Sequence, residues 1–385
     1  MNATPYKINV AQQVLDDLQT RLANTRWTSE MPGAGWDTGT NLEYLQSLTQ
    51  YWHDGFDWRK QETTLNGFSQ FHAAVDGLDI HFVHERGKGD SPMPLILLHG
   101  FPDSFVRFAK VIPLLTDPAA HGGDASDAFD VIVPSLPGYG FSERPTTPGV
   151  TMRVADMLTK LVTETLRYDR FAAAGGDIGS DIVQQMATTY PDRLTGIHLT
   201  GVPYRNYSMF LKTGDMSQLS EPEHGYLKAG QDWGMREGAY AMLQSTKPQT
   251  LAYGLNDSPV GLAAWIVEKF RAWSDCDGDV EKRFSKDELL TNITIYWATE
   301  TINSAFRYYY EVAQSLPPPL PDPVVTPTGF TIFPKDITPA PREWAARFFG
   351  NITRWESAPS GGHFAAMEEP EWFVQEIRAF FRPLR

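Results

Sequence analysis

Near the start of the chain apolar residues recur at helical spacing. Val14, Leu15, Leu18 and Leu22 are separated by polar residues and predict a helix within residues 11–27. An aromatic stretch follows, with Trp36, Tyr51-Trp52 and Phe56-Asp57-Trp58. It keeps neither a strand nor a helix period and reads as a segment wrapped over a core built elsewhere. At Phe71 the period changes to two. Residues 71–75, the pair Asp76-Gly77 and residues 78–85 predict a β-hairpin with a tight turn. His81 and His84 lie on its second strand three apart, hence on opposite faces, which points to structural roles and against a shared metal. Short apolar runs at 95–98, 131–133, 171–174, 197–199 and 330–333 then alternate with helical segments. That alternation predicts an α/β fold, a mostly parallel sheet with helices on both faces.

From about Asn206 to Ser315 the strand rhythm stops and the chain becomes helical and aromatic. Ser285-Lys286-Asp287-Glu288 is a capping-box pattern that predicts a long helix running through Trp297 and Tyr309. Residues 316–327 hold six prolines, a stiff connector that cannot be helix interior. The expected organisation is an N-terminal wrapping region (1–70), a first core half (71–205), a helical lid (206–315) and a second core half (316–385).

Composition mainly excludes. A net charge of −14 without any Lys/Arg cluster opposes binding to nucleic acid or to an anionic membrane surface. The single cysteine, Cys276, permits no intrachain disulfide, and its acidic neighbours Asp275 and Asp277 oppose thiolate formation. The first residues lack the apolar core of a signal peptide, and no run approaches a membrane span, so a cytoplasmic protein is expected.

The chemistry concentrates in four motifs. Gly175-Gly176-Asp177-Ile178-Gly179 follows the run 171–174 and precedes a helical segment closed by Pro191. This strand–turn–helix context is that of a nucleophile elbow, with Asp where serine is usual. His99-Gly100-Phe101-Pro102 follows the run 95–98. In the α/β-hydrolase fold that loop supplies one oxyanion N–H and the residue after the nucleophile the other, here Phe101 and Ile178. His99 is expected to brace the loop. Asp336 follows the run 330–333, and His363 lies in Gly361-Gly362-His363-Phe364 before the last helix. The order Asp177, Asp336, His363 is the nucleophile–acid–base order of this fold. A serine that opened an alkyl electrophile would be left as an ether. A carboxylate forms an ester whose carbonyl carbon water can attack, so Asp177 points to displacement at saturated carbon, in epoxides or alkyl halides.

These motifs resemble the microsomal-type epoxide hydrolases nearly end to end. The resemblance includes Asn24-Thr25-Arg26-Trp27, residues 254–262 (Gly-Leu-Asn-Asp-Ser-Pro-Val-Gly-Leu) and Phe333-Pro334-Lys335-Asp336. It implies that Tyr240 and Tyr309 are lid tyrosines donating to the epoxide oxygen, with Tyr308 and Tyr310 as packing residues. It implies a vicinal diol product and no metal or organic cofactor, with a small-molecule epoxide and water as partners. Detoxification or aromatic hydrocarbon catabolism would be the setting, and a homodimer is compatible. Membrane-bound relatives carry an N-terminal anchor, which is not expected here, and some have Glu where Asp336 stands. A dehalogenase on the same fold is the enzymatic alternative, opposed by Ile178 where such enzymes commonly carry Trp. A hydrolase-fold receptor is the non-enzymatic one, opposed by the full triad and two tyrosines. The lid tryptophans Trp233, Trp265 and Trp273 suggest a bulky apolar or aryl epoxide.

Overall fold

The computed structural model describes residues 2–315 and 322–385. Its strands are β1 (Thr4–Tyr6), β2 (Gln70–Val75), β3 (Leu78–Glu85), β4 (Met93–Leu98), β5 (Phe129–Pro134), β6 (Phe171–Gly175), β7 (Leu194–Leu199), β8 (Thr328–Ile332) and β9 (Ile352–Ser357). They form one sheet in the order β1-β2-β3-β5-β4-β6-β7-β8-β9. The pairs β1·β2, β2·β3 and β3·β5 are antiparallel, and the rest of the sheet is parallel. Asp76 and Gly77 turn the β2–β3 hairpin with φ of 48° and 82°, as a type I′ turn requires.

Alternation along the central strands builds two cores. Ile96, Leu98, Ile132, Ala173 and Ile197 pack on one face, and Leu95, Leu97, Val131, Val133, Ala172 and Ala174 on the other. Both faces are therefore covered, which is why these strands read as apolar runs.

The structure corrects three expectations. The aromatic stretch after residue 27 is substantially helical, at Leu42–Asp54 and Trp58–Leu65. Asn41 and Asp57 cap these helices by accepting the N–H groups of Tyr44 and Lys60. The helix expected to run through Trp297 and Tyr309 is two, Lys286–Thr299 and Ile302–Gln314. Glu300 separates them in the left-handed conformation (φ 52°), a helix stop usually met at glycine. Strands β1 and β9 were not foreseen. β1 is short and β9 only half-buried, so neither shows an apolar run.

Between β7 and β8 the chain is helical from Tyr204–Thr213 to Ile302–Gln314. Of the proline-rich connector expected over 316–327, residues 316–321 lie outside the described residues. Among the described residues no helix is long and apolar enough to cross a membrane.

Candidate active site

β6 ends at Gly175, and the helix Ile178–Thr189 begins three residues later. Asp177 makes the turn at φ 53° and ψ −133°, outside the ordinary regions for a side-chain-bearing residue. Two glycines allow this geometry. A Cβ on Gly179 would stand 2.2 Å from the Leu98 carbonyl oxygen, and one on Gly100 would stand 2.1 Å from Asp177 Oδ1. The Phe101 N–H donates to Asp177 Oδ1 at 2.8 Å. Ile178 opens the helix, so its N–H is among those a helix start leaves without an intrahelical acceptor.

Asp336 lies just beyond β8, at the carboxyl end of the sheet where open α/β folds collect their sites. Its Oδ1 accepts from His363 Nδ1 and from the Ile337 N–H, each at 2.7 Å. Burial works against its charge, yet the adjacent imidazole and these donors hold Asp336 below the usual carboxylate range. His363 Nε2 stands 3.3 Å from Asp177 Oδ2 and, among the described residues, has no hydrogen-bond partner. Burial disfavours an imidazolium there, but Asp336 and Asp177 outweigh it, and His363 is pushed up to about 10.

The turn carrying His363 is braced by groups that sequence reasoning missed. Buried Glu368 accepts the N–H groups on both sides of the histidine, Gly362 and Phe364, each at 2.9 Å. The His363 N–H donates to the Trp273 carbonyl at 2.8 Å, and Arg107 donates to the His363 carbonyl at 2.6 Å. Arg107 is buried against Asp103, which accepts the Gly100 N–H at 3.0 Å. One ion pair therefore joins the Phe101 loop to the His363 turn. Its signal was an Asp and an Arg four apart, directly after His99-Gly100-Phe101-Pro102. His99 itself braces, as expected. Its Nε2 accepts the Leu136 N–H at 3.1 Å, which leaves Nδ1 as donor to the Gly100 carbonyl.

Above these groups lies a cavity of about 670 Å³, lined by Asp177, Asp181, Tyr240, Tyr308, Tyr309 and His363 among others. Tyr240 is the second residue of the helix Ala239–Thr246, and its ring centroid is 6.0 Å from that of Tyr309. Burial, with the Asp177 charge added, pushes both phenols up, so they stay O–H donors at any working pH. Tyr310 is exposed, whereas Tyr308 packs against the core and also lines the cavity. Trp233 lines the cavity and Trp265 packs on Phe306. Trp273 packs on both His363 and Tyr240. Among the described residues no cluster of His, Cys, Asp and Glu could hold a metal ion.

Comparison with known proteins shows what the chain as a whole is similar to. The family profile "Epoxide hydrolase N terminus" matches residues 3–108, and "alpha/beta hydrolase fold" matches residues 93–228. A "Putative epoxide hydrolase" of Stigmatella aurantiaca is 43% identical over 99% of this chain and 85% of that protein. "Epoxide hydrolase 1" of Sus scrofa is 38% identical over 98% of this chain and 88% of that one. The solved epoxide hydrolase of Aspergillus niger superposes with a TM-score of 0.83 at 28% identity, covering 100% of this chain and 97% of that one.

Proposed function

This chain belongs to the epoxide hydrolase family of the α/β-hydrolase fold and is an enzyme that hydrolyses epoxides; from that premise we propose how its own residues do so. Asp177 is the nucleophile, attacking a ring carbon through Oδ2. Tyr240 and Tyr309 donate to the epoxide oxygen, and the result is a hydroxyalkyl ester of Asp177. Oδ1, already held by the Phe101 N–H, becomes the ester carbonyl oxygen. The Phe101 and Ile178 N–H groups then stabilise the oxyanion when water adds. His363, oriented by Asp336, is the base that activates this water. The observation that carries the proposal is Asp177 at the elbow, with Phe101 N–H on one oxygen and His363 beside the other.

Proton balance favours the same assignment. In the resting site two carboxylates hold His363 as imidazolium. Esterification removes the Asp177 charge, which releases the imidazole toward the neutral base needed next. The proton it gives up replaces the one a lid tyrosine delivers to the alkoxide. Ester hydrolysis then regenerates the Asp177 carboxylate and the imidazolium, and the cycle closes.

The proposal extends to the 70, 205 and 315 boundaries as limits of wrapping region, core and lid. It also extends to a cytoplasmic setting, to possible action as a homodimer, and to detoxification or aromatic hydrocarbon catabolism.

The test is His363→Gln mixed with an accepted epoxide. The intact protein should gain the mass of one whole epoxide, placed by digestion on the Asp177 peptide, and release diol very slowly. The Asp177→Ala, His363→Gln double variant should gain nothing. An adduct on Cys276 or on a tyrosine, with Asp177 unmodified, would overturn the nucleophile assignment.

A further inference from the structure

Lys269 is a buried lysine behind one of the two lid tyrosines. It sits in the last turn of the helix Pro259–Ala272, with its side chain only 6% exposed. Its Nζ lies 4.9 Å from the centroid of the Tyr240 ring and 5.8 Å from that of Trp273. Glu268, at 2.5 Å, is its anionic partner and, after burial and the Asp177 charge, by its own charge pushes the Tyr240 phenol up, so the ammonium over the ring face acts against it. Burying an ammonium is costly even when it is paired, so its placement against a π face calls for a reason.

The chemistry of ring opening supplies one. The epoxide C–O bond breaks with its electron pair on oxygen while Asp177 forms a bond to the ring carbon. The proton that quenches this oxygen comes from a lid phenol, which is left carrying negative charge until it is reprotonated. A cation over the face of that phenol is attracted to the ring and attracted more strongly as the ring becomes anionic. Among the described residues no cation stands over the Tyr309 ring, whose aromatic neighbours are Phe101, Tyr240 and Tyr308. The two lid phenols therefore sit in different fields.

Resting on the assignment of Tyr240 and Tyr309 as lid donors, we propose that Lys269 is a positioning residue for ring opening. Its ammonium behind Tyr240 makes that phenol the proton donor and leaves Tyr309 as a hydrogen-bond donor only. Lys269 does not touch the substrate and acts through Tyr240, which predicts a particular pattern of coupling.

The experiment measures the rates of alkylation and ester hydrolysis separately, in single turnovers of a styrene-type epoxide. It compares wild type, Lys269→Met, Lys269→Arg, Tyr240→Phe and the Lys269→Met, Tyr240→Phe double variant. Lys269→Met should slow alkylation on the order of ten-fold, the scale of a desolvated cation–π contact, and leave ester hydrolysis unchanged. Lys269→Arg should restore most of the rate. In the Tyr240→Phe background Lys269→Met should add no further loss, because the group through which the cation acts is gone. Wild-type alkylation by Lys269→Met overturns the proposal. So does an equal slowing in the Tyr240→Phe background, or a joint loss of both steps that Lys269→Arg does not rescue. Wild-type alkylation by Tyr240→Phe alone would instead overturn the underlying lid-donor assignment, and is read independently of Lys269.

Discussion

In the proposed mechanism Asp177 and the two phenols across the cavity divide one displacement between them, so each should be separable by step. If Tyr240 and Tyr309 both donate to the developing alkoxide, removing either leaves a single donor. Tyr240→Phe and Tyr309→Phe should each slow alkylation by a factor equivalent to about 2–4 kcal/mol and spare ester hydrolysis. Tyr310→Phe, at an exposed position, should behave as wild type in the same stopped-flow measurement. A crippled Tyr310→Phe would mean that the helix presents a different face to the substrate. Tyr308 differs from Tyr310 in facing the cavity. It lines the cavity together with Asp181, and burial first, then that neighbouring carboxylate, raises its phenol, so a substrate-dependent effect is expected there.

The helix Ile178–Thr189 carries a second carboxyl one turn beyond the nucleophile. Burial, aided by the Asp177 charge and opposed by Arg205, pushes Asp181 up to about 7 from an ordinary 3.8. The folded protein therefore holds an extra proton between these values, and stability falls as pH rises through that window. Asp181→Asn removes the titration and with it the fall. Its urea midpoint, relative to wild type, should rise steadily from about pH 4 to about pH 8 and level off above. A difference that stays flat with pH would mean that Asp181 titrates normally. Sequence reading had left this residue unmarked inside a helical segment, because its shift depends on a cavity wall and on Arg205, 24 positions away. The break at Glu300 was equally silent, since a left-handed glutamate has no glycine to announce it.

At the scale of the molecule, the N-terminal region grips the helices inserted between β7 and β8. The buried Trp52 indole donates to Thr294 Oγ1 at 3.1 Å, and the Tyr51 hydroxyl donates to Asp287 at 2.8 Å. The Thr40 hydroxyl donates to the Ala264 carbonyl at 2.7 Å, and Arg21 pairs with Asp257. The helices so held include Pro259–Ala272, which carries Lys269, and Lys286–Thr299. Trp52→Ala should then cost about 3–5 kcal/mol of stability, read as a lower urea midpoint with unchanged slope. A loss below about 1 kcal/mol would show that the grip is loose.

The sequence by itself determined what is demanded within a few covalent neighbours. Asp76-Gly77 must turn a hairpin, buried strands must run apolar, and small residues must flank an aspartate forced into a positive-φ elbow. Asp177, Asp336 and His363 were legible for that reason, since each stands at a strand end or glycine turn marked by its own surroundings. Only the tertiary structure decided which tyrosine of residues 308–310 faces Tyr240. It alone showed that Arg107 and Asp103 tie the Phe101 loop to the His363 turn, and that an ammonium stands behind Tyr240. The Arg107–His363, Tyr240–Tyr309 and Lys269–Tyr240 contacts join residues from 29 to 256 positions apart in the chain. Their energies come from burial and Coulomb interaction, which depend on what lies across the fold rather than on what lies next in sequence.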